Sequence, residues 1–426
     1  MNNKLFFALF AHFLSLTLAA PSKDSNFIQI RENKASIPFA TKLNYLGGKI
    51  PDIDRAHVAS IIHGTKKLNQ DSAALALAEG QYSVPVINQA LIYTANVSIG
   101  NPPTVYSLII DTGSSNTWVG ANKPYVPTNT TGIDEDLVLV AYGSGAFAGV
   151  ELCDQVALSP DLVIQCQEIG VAIISEGFQG VDGILGVGPA NLTEGTLILH
   201  PGETIPTVTD NLFSQGTIPE EIIGIYFAPT TTGQSTNGEM TFGGINNNRT
   251  TRDVEFVPIT STSPAGNYWG IDQDITYGTS NTTILSSGSG IVDTGTTLLL
   301  LATDAFNNYV SATGATVDSD TGLLYISPES YANVQSLFFQ VGNTTFEFTR
   351  DAQTFPRALN TVIGGSPDKI YLVIGDLGME SGQGLDFING YAFLERFYSV
   401  YDTTNQRVGL APTENTFSVI NYNQTA

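Results

Sequence analysis

A short pattern occurs twice in this chain, as Ile109-Ile110-Asp111-Thr112-Gly113-Ser114-Ser115 and Ile291-Val292-Asp293-Thr294-Gly295-Thr296-Thr297. In each copy a β-branched apolar run delivers an aspartate into a Gly turn followed by hydroxyl side chains. The copies lie 182 residues apart, which is about the length of one compact lobe. A chain that repeats a carboxylate in this way is constrained to fold as two related halves that bring the aspartates together. Two carboxyls held about 3 Å apart cannot both ionise, so they share one proton and can activate a water between them. The competing reading is a pair of Asx-type turns at unrelated strand ends.

Aspartate-Thr-Gly followed by Ser or Thr, present twice, is the signature of the pepsin-like aspartic proteases. The chain resembles the secreted fungal members of that family from about Val84 to Thr413. Ile205-Pro206-Thr207-Val208-Thr209-Asp210-Asn211-Leu212-Phe213 and Phe393-Leu394-Glu395-Arg396-Phe397-Tyr398-Ser399-Val400-Tyr401-Asp402 carry the resemblance further. It implies a mostly β, bilobal fold, with two pseudo-symmetric lobes and a central cleft. It implies an endopeptidase in which Asp111 and Asp293 act on protein and peptide substrates at acid pH. Pepstatin-type inhibitors should block such an enzyme, which would need no cofactor or metal and work as a monomer.

Further residue roles follow from the resemblance. Thr112 and Thr294 should tie the two catalytic loops together. Ser114 and Thr296 should hydrogen-bond the outer carboxylate oxygens, with Gly113 and Gly295 giving the loops their turn. Tyr142-Gly143-Ser144 resembles the flap that closes over bound peptide, with Trp118 as the partner of the Tyr142 hydroxyl. Ser144 stands where some fungal relatives carry Asp and accept Lys, which implies a preference for apolar residues around the scissile bond. Asp182-Gly183-Ile184-Leu185-Gly186 and Phe387-Ile388-Asn389-Gly390 resemble the elements that cross behind each catalytic loop. The second departs from the pattern, because Asn389 replaces an apolar residue and places an amide near the loop.

Residues 1–19 read as a secretory signal, with Lys4 before the apolar Leu5–Leu18 and small residues at Ala19-Ala20. Residues 20–80 read as a basic propeptide, 81–256 as a first lobe with Asp111 and the flap, and 257–426 as a second with Asp293. Nine of the seventeen Lys and Arg fall in residues 1–80. The rest of the chain sets eight cations against thirty-four Asp and Glu, a net of −26. Such a surface repels nucleic acid and anionic membranes and suits an acidic workplace, where its self-repulsion fades. The propeptide cations are expected to pair with this acidic body. Helical patches are expected at 54–63 and 71–79, and the resemblance implies that a prosegment lysine, with Lys66 and Lys67 as candidates, can sit over the aspartates. A disordered leader is the alternative.

Cys153 and Cys166 are the two cysteines of the chain. A turn at Ser159-Pro160-Asp161 folds the segment between them as a hairpin, and an oxidising compartment would join them in a disulfide. Seven sequons, at Asn96, Asn129, Asn191, Asn248, Asn281, Asn343 and Asn423, fit a secreted glycoprotein, although Asn96 lies in a predicted strand at 93–99. After Gly80 there is one histidine, His200, read as an exposed loop residue. That leaves no Ser-His-Asp or Cys-His arrangement, and no zinc or nucleotide motif appears. Paired carboxylates also serve glycosidases, which lack the internal duplication. An inactive binding protein on the same fold would be expected to have lost an Asp, a flanking Gly or the flap Tyr.

Overall fold

The computed structural model describes residues 34–43, 48–63, 91–143, 145–232 and 234–421. Over them the chain is mostly strand, and its sheets form two lobes. The signal, Lys66, Lys67, the expected helical patch at 71–79 and Ser144 lie outside the described residues.

One arrangement appears twice at the centre. The strand Thr104–Asp111 runs parallel to Gly183–Gly186, which pairs antiparallel with Trp118–Val119. The strand Thr282–Val292 runs parallel to Phe387–Asn389, which pairs antiparallel with Leu299–Leu301. Leu108, Ile110, Leu185, Ile291, Val292 and Ile388 are all buried. Strands covered on both faces need continuous apolar runs, and such a run precedes each aspartate. The first crossing strand ends in a glycine and the second runs directly into one, and each glycine touches the catalytic loop beside it. A β-carbon at Gly186 would stand 2.5 Å from the Ser115 carbonyl carbon, and one at Gly390 would stand 2.2 Å from the Leu298 oxygen. Only glycine permits that approach.

The first aspartate belongs to a 13-stranded sheet and the second to a 7-stranded one. The strand Glu255–Pro258 straddles the expected division between residues 256 and 257, and it pairs with Arg407–Pro412. The strand Phe397–Asp402 pairs with Ile222–Tyr226. Segments near the C-terminus are thus woven into the larger sheet.

The N-terminal segment enters the same sheet. Ala35–Leu43 forms a strand between Gln234–Phe242 and Leu91–Ile99. Its Phe39 packs against the rings of Tyr93 and Phe227, with centroids 5.7 and 5.0 Å away. A helix follows, Ile50–His63, here called α1. Ile50, Ile53, Asp54, His57, Val58 and Ile61 are buried on it, the spacing of one helical face. Two titratable side chains therefore lie within the apolar stripe.

The strands Gly145–Ser159 and Leu162–Glu176 form the expected hairpin, and Cys153 and Cys166 are joined with Cα atoms 5.2 Å apart. The bond closes a loop with a sequence separation of 13. Replacing both cysteines by Ala should lower stability by about 2–3 kcal/mol. A denaturant titration reads this as an earlier midpoint, with activity at 25 °C retained.

Two carboxyls, the buried Glu395 and the half-buried Glu221, are tuned for acid. Burial pushes Glu395 up to about 7, against the pull of Arg396 and of the Tyr93 hydroxyl, which donates to it at 2.9 Å. Burial and the neighbouring Asp210 and Asp402 carboxylates push Glu221 up to about 8. Both hold a proton more tightly folded than unfolded, where the ordinary value is 4.5. The stability they contribute is complete below that value and is lost as pH rises through 7 and 8. The denaturation midpoint should therefore fall between pH 5 and pH 8, and Glu395→Gln should flatten that fall. A midpoint equally steep in the variant would contradict the assignment.

Candidate active site

Asp111 and Asp293 each sit at the end of a buried strand, 4% and 0% exposed. The loops that hold them bond in matching pairs. Gly113 N donates to Asp111 Oδ1 at 2.8 Å, and Gly295 N donates to Asp293 Oδ1 at 2.9 Å. Ser114 Oγ donates to Asp111 Oδ2 at 2.5 Å, and Thr296 Oγ1 donates to Asp293 Oδ2 at 2.6 Å. Thr112 N donates to Thr294 Oγ1 and Thr294 N to Thr112 Oγ1, both at 3.0 Å. The two threonine hydroxyls go on to donate to Val292 O and Ile110 O, each in the opposite half. These bonds cross the interface between the halves beneath the carboxyls.

The two Oδ1 atoms converge. A β-carbon at Gly113 would stand 2.7 Å from Asp293 Oδ1 and 3.2 Å from Asp111 Oδ1. One at Gly295 would stand 2.5 Å from Asp111 Oδ1 and 3.3 Å from Asp293 Oδ1. The glycines leave both inner oxygens facing one small space.

The carboxyls titrate as an unequal pair. Burial and the charge of Asp293 push Asp111 above the ordinary carboxylate range. Burial acts upward on Asp293 too, but the charge and hydrogen bond of His57, with Thr296 and the Gly295 amide, outweigh it and hold Asp293 low. Like charges this close favour one shared proton.

Over this pair lies α1. His57 Nε2 stands 3.0 Å from Asp293 Oδ2. Asp54, one turn earlier, accepts from Thr297 N at 3.1 Å and Leu298 N at 2.8 Å. On the far side the flap rests on the helix, since a β-carbon at Gly143 would stand 2.1 Å from His57 Cα. The resemblance implies a lysine over the pair, whose candidates Lys66 and Lys67 lie outside the described residues; among the described residues the basic side chain there is His57. The signal was available in the sequence, because Asp54 and His57 share the apolar face of a predicted helix.

Of the N-terminal cations expected to pair with the acidic body, Lys23, Arg31, Lys66 and Lys67 lie outside the described residues. Lys34 and Lys49 donate to the carbonyls of Ile245 and Ser319, and Arg55 pairs with Asp52 inside the helix. Among the described residues, the ion pair that joins this segment to the body is His57–Asp293. Lys34 and Lys49 thus reach main-chain oxygens, and the buried apolar face of α1 adds to the docking.

Beneath the flap, Trp118 stacks on Phe147 at 4.2 Å and meets the edge of Phe178 at 4.7 Å. The Tyr142 ring lies 6.4 Å away. Burial pushes the Tyr142 hydroxyl well above its ordinary range, against the pull of the Trp118 and Ser114 side chains, although neither Tyr142 Oη nor Trp118 Nε1 meets strict hydrogen-bond geometry. The Asn389 amide turns to Gln273, donating to its Oε1 at 3.0 Å and accepting from its Nε2 at 3.3 Å. Its main-chain oxygen accepts from Asp293 N. His200, 57% exposed, has Nδ1 2.8 Å from Asp136 Oδ2. No cluster of three or more His, Cys, Asp or Glu suited to a metal occurs among the described residues. No helix among them is long and apolar enough to cross a membrane.

Comparison with known proteins agrees with this geometry. Residues 92–413 match the family model described as eukaryotic aspartyl protease. Polyporopepsin of Irpex lacteus is 59% identical over 339 residues, covering 80% of this chain and 99% of that protein. Pepsin A of Gallus gallus is 27% identical over 75% of this chain and 84% of its own length. The crystal structure of an aspartic proteinase from Irpex lacteus superposes with a TM-score of 0.76 at 59% identity, covering 78% of this chain and 96% of that one.

Proposed function

The chain belongs to the eukaryotic aspartyl protease family and is an aspartic endopeptidase, and from that premise we propose that it is a secreted enzyme, made as a zymogen, that works in acid as a monomer and favours apolar residues around the scissile bond. One observation carries the reading: two carboxyls, each held by its own glycine amide and hydroxyl, present their inner oxygens to one space.

With α1 displaced, the pair keeps one proton. A water between the inner oxygens gives a proton to the ionised carboxylate as it attacks the scissile carbonyl. The protonated carboxyl hydrogen-bonds the carbonyl oxygen and donates to it as the tetrahedral diol forms. The diol collapses as one of its hydroxyls returns a proton to the second carboxylate, the C–N bond breaks, and the amine leaves with the proton that the first carboxyl took up, so the pair again holds one proton. No covalent bond to the enzyme forms. With α1 seated, burial and the charge of Asp293 hold the Asp111 carboxyl high; once His57 has left, the two carboxyls share the proton between them. Thr112 and Thr294 keep the carboxyls in register, and Ser114 and Thr296 hold the outer oxygens.

The propeptide reading of residues 20–80 is supported by α1 lying across the catalytic pair. The apolar preference is supported by the Trp118, Tyr142, Phe147 and Phe178 rings under the flap. Secretion is supported by the signal-like residues 1–19, the disulfide and the sequons. The reading is tested by expressing the full chain, acidifying the culture supernatant, and sequencing both the enzyme and the peptides it releases from a denatured protein. The expected result is enzyme in the medium, loss of roughly the first 80 residues, and apolar residues on both sides of the cuts. Retention of those residues in a fully active enzyme would overturn the zymogen reading, and cuts beside Lys would overturn the preference.

A further inference from the structure

The 7-stranded sheet carries a groove on its outer face, about 530 Å³ in volume, within the roughly 300–1,000 Å³ of ligand sites. Asp274, Thr276, Asn281, Thr283, Phe338 and Gln340 line it. Strand alternation puts the central pair there. Ile275 and Tyr277 are buried on either side of Thr276, and Leu337 and Phe339 on either side of Phe338, so the middle residues point to the opposite face. Thr276 and Phe338 are direct partners across the two strands. The solvated face of such a sheet is ordinarily polar, and most of this groove obeys that rule. Phe338 does not: it is a half-buried ring among hydroxyls, amides and a carboxylate.

One edge of the groove is the hairpin turn at residues 278–281. Gly278 and Asn281 are both left-handed there, with φ of 71° and 53°, and Asn281 N donates to Gly278 O at 3.2 Å. The turn is pinned to the segment leading into the Phe338 strand. Gly278 N donates to Ser336 O at 2.9 Å, and Thr279 N donates to Gln335 Oε1 at 3.1 Å. Asn281 is thereby held, exposed, beside the groove, and Asn281-Thr282-Thr283 is a sequon.

We propose that Asn281 carries an N-linked glycan and that its first sugar lies in this groove, stacked on Phe338. The proposal rests on the secretion reading above, because such glycans are attached to chains that enter the secretory pathway.

The chemistry of the groove suits that occupant. A pyranose presents C–H bonds on its face and hydroxyls at its edge. The electron-rich face of an aromatic ring attracts the first, and the side chains of Thr276, Thr283 and Gln340 offer hydrogen bonds to the second. The link to Asn281 makes the contact intramolecular, so an interaction too weak to hold a free saccharide still holds a tethered one. The other sequons among the described residues, at Asn96, Asn129, Asn191, Asn248 and Asn343, do not line this groove. A left-handed Asn also serves simply as a turn residue, but that role leaves the Phe338 ring uncovered.

The test secretes the full chain from a eukaryotic host as wild type, Asn281→Asp, Phe338→Ala and Phe338→Tyr, with thermal melting to confirm that each is folded. Mass spectrometry of the peptide containing residue 281 reads its occupancy. The rate at which endoglycosidase H trims that glycan from the folded protein, with pepstatin present, reads its burial. Asn281 should be occupied in wild type, and the glycan should vanish from this peptide in Asn281→Asp, whose cleavage of a peptide substrate is unchanged. Trimming of folded wild type should be about three- to tenfold slower than of folded Phe338→Ala, the scale of one aromatic contact. Phe338→Tyr should be trimmed as slowly as wild type, and all three should be trimmed equally once denatured. Equal rates for folded wild type and Phe338→Ala would overturn the seat in the groove. A bare Asn281 in a protein whose other sequons are occupied would overturn the proposal and leave secretion standing, and so would sugar on Thr279 or Ser280 in place of Asn281. Absence of the protein from the medium, with every sequon bare, would instead overturn the secretion reading on which the proposal stands.

Discussion

Replacing Asp293 by Asn lowers kcat/KM for a denatured protein substrate by at least about 10⁴-fold, the scale expected when one member of a catalytic unit is removed. The substitution keeps the shape of the side chain. The Asn oxygen still accepts from Gly295 N, and the Thr296 hydroxyl turns to accept from the new amide where it now donates at 2.6 Å. The Thr112–Thr294 exchange beneath is untouched, so the melting temperature of the processed body should move little. What is lost is an oxygen that can hold or release the shared proton. Asp111→Asn should behave in the same way. Kinetics on the processed protein and a thermal melt of the same sample check both halves of the statement, and a variant retaining a tenth of wild-type activity would exclude the paired mechanism.

Gly295→Ala is the second large effect, and it acts by geometry alone. The new methyl would stand 2.5 Å from Asp111 Oδ1 and 3.3 Å from Asp293 Oδ1, inside the space where the reacting water must bind. Neither carboxyl can retreat freely, because each is held by its own loop amide and hydroxyl. The inner oxygens must therefore move apart. A displacement of about 1 Å at reacting groups costs on the order of 10²-fold, and exclusion of the water adds to that, so a loss of 10²-fold or more is expected. Both carboxyls remain in the variant, so a pH–rate profile of reduced height with two ionisations still visible distinguishes it from Asp293→Asn. Wild-type kcat in Gly295→Ala would show that the inner oxygens do not converge in the working enzyme.

The features legible in the sequence were those that local chemistry makes compulsory. An aspartate that must be buried and yet reactive needs an apolar strand before it and a glycine after it, and both copies announce themselves. The Cys153–Cys166 hairpin was legible for a similar reason, because its turn residues lie between two apolar runs. The strand Ala35–Leu43 was not foreseen. Its neighbours are Leu91–Ile99 and Gln234–Phe242, and nothing local records a partner some two hundred residues away. The weaving of Phe397–Asp402 into the larger sheet was hidden in the same way. His57 is a different case. Periodicity placed it with Asp54 on the apolar face of α1, where an unpaired charge is too costly to bury. Two such groups on one face point to partners in the body. The family resemblance directed attention to lysines instead.

The most direct test of the central claim is the hydrolysis of denatured haemoglobin by the acid-processed chain across pH 2–8, with and without pepstatin. The account predicts activity confined to acid pH and abolished by the inhibitor, because a shared-proton pair of carboxyls needs one protonated and one ionised member. Activity that persists at neutral pH, or that pepstatin leaves untouched, would contradict the assignment of the chemistry to Asp111 and Asp293.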